Sequence, residues 1–182
     1  VERVTGTAPA RVLDPTFLTR FPQADLRVSK KPYILFYYCE KLPEHILNQI
    51  FSYAKAHDLA VYGAGECDKR YSAVTVNLTP FEWIEMFRNA EFVFTGTFHG
   101  AVFSILNRRQ FKVHLTNESR IKKVTALLNE MGIANRVIQP DFQFDLDRMK
   151  SEIDYDAVQP MIEQKLRQSR QYLKEAIGSA EK

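Results

Sequence analysis

Nearly continuous apolar runs alternate along the chain with segments whose apolar positions recur every three or four residues, a pattern that predicts strands separated by helices. The run Tyr33-Ile34-Leu35-Phe36-Tyr37-Tyr38-Cys39 lacks a polar face and predicts a strand covered on both sides, as at the centre of a parallel sheet. From Pro43 the positions Ile46, Leu47, Ile50, Phe51 and Ala54 keep the helical period to about His57, and Leu59-Ala60-Val61-Tyr62 reads as a second short strand. Strand, helix and strand in that order imply a right-handed crossover and a parallel pair. Gly63 to Tyr71 reads as a loop; Gly63 and Gly65 match half of a dinucleotide fingerprint, but no helix follows directly.

Thr79-Pro80-Phe81-Glu82 carries the marks of a helix start: a hydroxyl N-cap, Pro in the first turn and a Glu placed to close a capping box. That helix, to Asn89, is expected to bury Phe81, Ile84 and Phe87 and to lead into a central strand over 91–95. An apolar helix then ends near Asn107, with Arg108 and Arg109 expected on a solvated face. Gln110 to Leu115 alternates and reads as a strand nearer the sheet edge, His114 on it being exposed or satisfied in the core. Ile121 to Met131 predicts a helix closed by Gly132, and Val137-Ile138 a last short strand. Gln139 to Ser151 reads as an acidic, aromatic surface excursion. Asp154 to Ile177 reads as one long helix despite Pro160, with Val158, Met161, Ile162, Leu166, Tyr172, Leu173 and Ile177 forming a partial apolar stripe. Residues 1–31, with Pro9, Pro15 and Pro22, suit a connecting segment in which Asp14 and Pro15 open a short helix. The expected organisation is therefore a connecting segment at 1–31, a Rossmann-like three-layer α/β domain with a parallel sheet at 32–150, and a C-terminal helix at 151–182.

Composition narrows the function. The 182 residues, 45% hydrophobic, suffice for one substantial core. The net charge of +3 is spread along the chain, with no Lys/Arg tract interleaved with aromatics, so nucleic acid is not an expected partner and an anionic small substrate fits. Cys39 and Cys67 form no CxxC pair and are expected as reduced, buried thiols of a cytosolic protein. Asp141, Asp145 and Asp147 lack the glycine and terminal Glu of a calcium loop, so neither metal nor cofactor is called for. No apolar run is long enough to span a bilayer. The opening at Val1 reads as that of a fragment excised from a longer chain.

The chemistry concentrates in Asn89-Ala90-Glu91-Phe92-Val93-Phe94-Thr95-Gly96-Thr97-Phe98-His99-Gly100-Ala101-Val102-Phe103-Ser104. A strand, a tight turn and a helix start place backbone N–H groups and the positive end of a helix dipole at the carboxyl edge of a parallel sheet, where such sheets bind anions. His99 stands in the first turn of that helix. A histidine there is commonly a structural hydrogen-bonding group, and the flanking Thr-Gly-Thr and Gly100 add weight to a functional role because they leave the backbone approachable. Arg120 follows the next strand at the same edge and can reach an anion at the Thr97–Gly100 turn if the two strands are neighbours; a capping or surface ion pair explains it equally well.

Asp14-Pro15-Thr16-Phe17-Leu18, Pro80-Phe81-Glu82-Trp83-Ile84, the stretch from Ala90 to Ile105 with its Thr-Phe-His-Gly core, Ser119-Arg120-Ile121, Leu127-Leu128, Gly132-Ile133, Ile153-Asp154-Tyr155, Ser169 and Leu173 together resemble the C-terminal half of the polysaccharide pyruvyl transferase family. The resemblance implies the second domain of a glycosyltransferase-B-like architecture, the partner N-terminal domain belonging to the parent chain. It implies transfer of a pyruvyl group from phosphoenolpyruvate to a sugar of a bacterial polysaccharide, or of its lipid-linked oligosaccharide precursor, forming a ketal and releasing phosphate. A cytoplasmic location follows, with peripheral association at the inner face of the membrane where the acceptor is lipid-linked. On the resemblance His99 is the catalytic acid/base or phosphate partner; Thr97, Phe98 and Gly100 cradle the phosphate, and Ser119 and Arg120 complete the donor site. Better-understood members carry Arg-Leu-His at the motif, whereas Thr97 stands at the Arg position here. A hydroxyl does not replace that charge, so Arg120 or a cation of the other domain compensates, or the donor differs. A nucleotide-sugar glycosyltransferase domain and a non-catalytic binding module are the alternatives, and the fragment alone is expected to be inactive.

Overall fold

The computed structural model describes residues 6, 11–25, 29–39, 41–75 and 77–180. Most of the first ten residues of the expected connecting segment, and its residues 26–28, lie outside them. The chain divides into two units, one formed by residues 21–154 and the other by residues 1–20 with 155–182.

The larger unit runs β1 (Tyr33–Tyr37), α1 (Glu44–Ala56), β2 (Ala60–Ala64), β3 (Ala73–Thr75), α2 (Pro80–Arg88), β4 (Phe92–Thr95), α3 (Phe98–Leu106), β5 (Phe111–Val113), α4 (Glu118–Glu130) and α5 (Leu146–Met149). The five strands are all parallel in the order β3-β2-β1-β4-β5, and Val137 adds an isolated parallel bridge to Val113. The apolar run without a polar face lies at the centre, where helices on both sides of the sheet exclude water. Ile34, Phe36, Phe92 and Phe94 pack on one side with Ile46 and Ile50 of α1 and Leu146 and Met149 of α5. On the other side the Tyr33 hydroxyl donates to the Met86 carbonyl at 2.7 Å, and Tyr37 packs edge-on against Phe87 of α2, which itself meets Phe103 of α3. The three-layer parallel α/β architecture is the one the apolar pattern predicts. Strand order reverses between β1 and β4, the point at which open parallel sheets form a crevice at their carboxyl edge.

In the smaller unit, Asp14 caps a 3-10 turn at Pro15–Leu18 by accepting from the Thr16 amide, as expected. The Leu13 amide donates to Ser169 Oγ at 2.9 Å on α6 (Tyr155–Ala180), the long C-terminal helix that continues through Pro160. Tyr172, Leu173 and Ile177 of its apolar stripe are exposed.

Several local expectations are corrected. Gly63 and Ala64 extend β2 instead of opening a loop, and β3 follows unannounced, since three residues show no periodicity. Phe81 is exposed because it lies roughly 120° around α2 from Phe87, off the buried stripe. Arg109 is not a solvated-face residue; it donates to the carbonyls of Asn107 and Ala90. Cys39 is buried as expected, but Cys67 is exposed. The excursion at 139–151 returns to the core through Leu146 and Met149, with Phe142 and Phe144 packed alongside.

The alternation expected of β5 is absent: all three residues are buried, Lys112 included. Lys112 Nζ lies 3.0 Å from Glu152 Oε2 and donates to the Asn135 carbonyl at 3.1 Å, while Arg136 Nη2 lies 2.6 Å from the same carboxylate oxygen. Glu152 thus compensates two buried cations. Burial opposes its ionisation, but the bond from Lys112 and the charges of Arg136 and Lys112 prevail and lower its pKa. A carboxyl depressed on folding stabilises the fold above its unfolded pKa, and that contribution is lost as pH falls through the folded value. Glu152→Gln is expected to destabilise the chain by about 3 kcal/mol in urea unfolding at neutral pH, because both cations stay buried without their counter-charge. The variant should also lose less of its thermal midpoint than the parent between about pH 6 and pH 3. An unchanged neutral-pH midpoint overturns this account of the cluster.

Candidate active site

β4 ends at the buried Thr95 and turns through Gly96 and Thr97 into α3. The turn is as tight as backbone allows. A Cβ at Gly96 would stand 2.5 Å from the carbonyl oxygen of Tyr38, beyond β1, and 3.0 Å from that of His114, beyond β5, so the loops on either side close on the glycine. The Gly96 amide donates to the Tyr37 carbonyl at 3.4 Å and the His114 amide to the Thr95 carbonyl at 2.9 Å.

The next residues build the start of α3. Thr97 is its N-cap: the hydroxyl accepts from the Gly100 amide at 3.0 Å, and the Thr97 amide donates to Thr95 Oγ1 at 3.2 Å. Gly100 leaves room for this pair, since a Cβ there would fall 2.0 Å from Thr95 Oγ1. The first helical bond is from the Ala101 amide to the Thr97 carbonyl at 3.2 Å, so the amides of Phe98 and His99 precede the ladder. An anion approaching Gly100 has to share its amide with the Thr97 hydroxyl. His99 is exposed in this first turn, its ring 5.5 Å from that of Phe98 and 6.4 Å from that of Phe103.

β5 is the hydrogen-bonded neighbour of β4, which meets the condition for Arg120 to share an edge with His99. The helix there starts earlier than its apolar period suggests. Asn117 caps α4, its side-chain oxygen accepting from the amides of Ser119 at 2.9 Å and Arg120 at 3.3 Å. Ser119 and Arg120 are therefore exposed first-turn residues, and two helix starts stand side by side at the carboxyl edge.

A second set of residues at this edge received no functional role from the sequence. Tyr38 and Lys41 adopt φ values of 46° and 61°, unusual for residues with side chains. The loop carrying them is tied from both sides: His114 Nε2–H donates to the Lys41 carbonyl at 3.1 Å, and the Glu66 carboxylate accepts from the Cys39 amide and the Tyr71 hydroxyl. Burial lowers the pKa of His114 against the effect of that carbonyl, and raises those of Cys39 and Tyr71. In the sequence the Glu66 loop was marked only by Gly63 and Gly65, a half fingerprint with no helix directly after it, too little to assign it a role. Among the described residues no group of three His, Cys, Asp or Glu side chains is placed to hold a metal ion, and no helix is long and apolar enough to cross a membrane.

A family model described as polysaccharide pyruvyl transferase matches residues 4–113, which takes in all five strands and the Thr97–Gly100 turn and stops short of Arg120. No curated protein matches the sequence. Among solved structures, the glycotransferase of kitacinnamycin aligns with a TM-score of 0.50 and 13% identity over 81% of this chain and 44% of its own. The glycosyltransferase TibC from enterotoxigenic E. coli H10407 aligns at 0.47 and 10% over 86% and 51%, and a Thermobaculum terrenum O-GlcNAc transferase mutant at 0.46 and 8% over 82% and 35%. The chain thus spans about half or less of the length of these proteins, and its likeness to the first is one of fold.

The packing at the turn predicts the sign of two substitutions. Ala is favoured over Gly in helices by ~1 kcal/mol, but forcing a methyl against the buried Thr95 costs about 2 kcal/mol, so Gly100→Ala should lower the urea midpoint. Thr97→Ala, which removes the cap, should cost about 1 kcal/mol and Thr97→Ser much less. A Gly100→Ala variant as stable as the parent is inconsistent with the close approach of Thr95.

Proposed function

The chain belongs to the polysaccharide pyruvyl transferase family, and on that premise we propose that it provides the donor-binding domain of an enzyme that moves a pyruvyl group from phosphoenolpyruvate to a sugar. The observation that carries this reading is the coincidence of the family match with the Thr97–Gly100 turn, a capped helix start with His99 exposed beside it at the carboxyl edge.

Phosphoenolpyruvate carries a phosphate and a carboxylate, so it needs N–H donors and cations. In this reading the phosphate lies against the Phe98 amide and the Thr97–Gly100 turn, with Arg120 and Ser119 facing it from the start of α4. Reaction requires a proton on the methylene carbon, which leaves C2 electron-poor; one sugar hydroxyl adds there, phosphate departs with the C–O bonding pair, and a second hydroxyl closes the ketal. His99 serves as the acid/base of these proton transfers or as the partner of the phosphate. The acceptor, a sugar or lipid-linked oligosaccharide of a bacterial polysaccharide, is then received with an N-terminal domain of the parent protein, at the cytoplasmic face of the membrane when lipid-linked. No cofactor enters this scheme. Thr97 in place of the family's Arg is the feature that keeps a nucleotide-sugar donor as the second reading.

Calorimetric titration decides between them. Phosphoenolpyruvate is expected to bind this chain, and His99→Ala and Arg120→Ala each to weaken it by roughly tenfold, the scale of a lost bond to a charged group. The chain alone should form no ketal. Binding of a nucleotide sugar but not phosphoenolpyruvate would transfer the site to glycosyl transfer, and binding of neither would remove the donor from this domain.

A further inference from the structure

Tyr37 closes β1 in register with Thr95 of β4, so the two side chains leave the same face of the sheet where the strand order reverses. Its carbonyl accepts from the Gly96 amide, which puts it directly beside the turn into α3. Its ring is clamped by three others: Trp83 at 5.4 Å and 85°, Phe87 at 5.1 Å and 69°, and Tyr38 at 5.1 Å and 88°. Trp83 belongs to the first turns of α2, which begins, like α3, at the carboxyl edge because both helices follow or precede parallel strands on one face. The Tyr37 side chain is only partly buried, and among the described residues its hydroxyl has no hydrogen-bond partner. A phenol held by its ring, with a hydroxyl open to solvent that no described group engages, is a preorganised donor, since little rotamer entropy remains to be lost on binding.

We propose that Tyr37 is a donor-positioning residue, its hydroxyl giving a hydrogen bond to an oxygen of the anion held at the start of α3. The anion is then oriented from β1 as well as from the α3 and α4 starts. The inference rests on the donor-site reading above and adds a residue that it does not use.

Tyr37→Phe keeps every ring contact and removes only the hydroxyl. It should leave the thermal midpoint unchanged and weaken phosphoenolpyruvate binding by roughly tenfold. In the unaltered chain, phosphoenolpyruvate should also produce a tyrosine absorbance difference that Tyr37→Phe lacks, a signal that packing alone does not create. If His99→Ala weakens binding while Tyr37→Phe binds as the parent does, or if the parent shows no tyrosine signal on binding, the proposal is overturned and the donor-site reading stands. If the unaltered chain does not bind phosphoenolpyruvate, both fall together.

Discussion

The site depends on the close approach of three backbone segments at Gly96. With the Tyr38 and His114 carbonyls on either side of it, the turn after β4 has no room for a side chain, and the loops after β1 and β5 are held at a fixed spacing. That spacing sets where α3 begins, which amides precede its ladder, and where Tyr37 and the start of α4 stand relative to it. The candidate site, drawn from three separated stretches of chain, is thereby placed by rigid strands, not by loop conformation.

Around this point the molecule spends polar groups freely. The Thr95 and Thr97 hydroxyls lie 3.3 Å apart and serve the turn itself, the Glu66 carboxylate secures the loop beyond β1, and Asn117 caps α4. Each satisfies backbone donors that a sharp strand-to-helix turn would otherwise leave unpaired. The left-handed Tyr38 and Lys41 are held by these ties, as strained residues beside binding crevices commonly are. Beside β5, Glu152 does a different task, joining the buried Lys112 and Arg136 through one carboxylate.

Family membership and fold address different questions. The match across residues 4–113 places the chain in the polysaccharide pyruvyl transferase family. The likeness to the glycotransferase of kitacinnamycin, at 13% identity, describes the sheet and its helices alone. At the turn into α3 the Thr97 hydroxyl is already engaged with the Gly100 amide. Arg120, on the neighbouring helix start, lies at the same edge of the sheet.

By itself, the sequence determined the elements whose signals are local. The unbroken apolar run at 33–37, the capping box at Thr79–Glu82, the Asp14 cap and the strand-turn-helix around His99 follow from neighbouring residues and were legible without coordinates. Tertiary structure decided what depends on residues distant in sequence. Only strand order shows that β5 lies beside β4 and brings Arg120 to the edge that His99 occupies. Only packing explains the buried Lys112, whose charge is compatible with the core because Glu152 lies forty residues later in the chain. The unexpected β3, the return of Leu146 and Met149 to the core and the clamp on Tyr37 likewise arise from long-range pairing, which no window of neighbouring residues encodes.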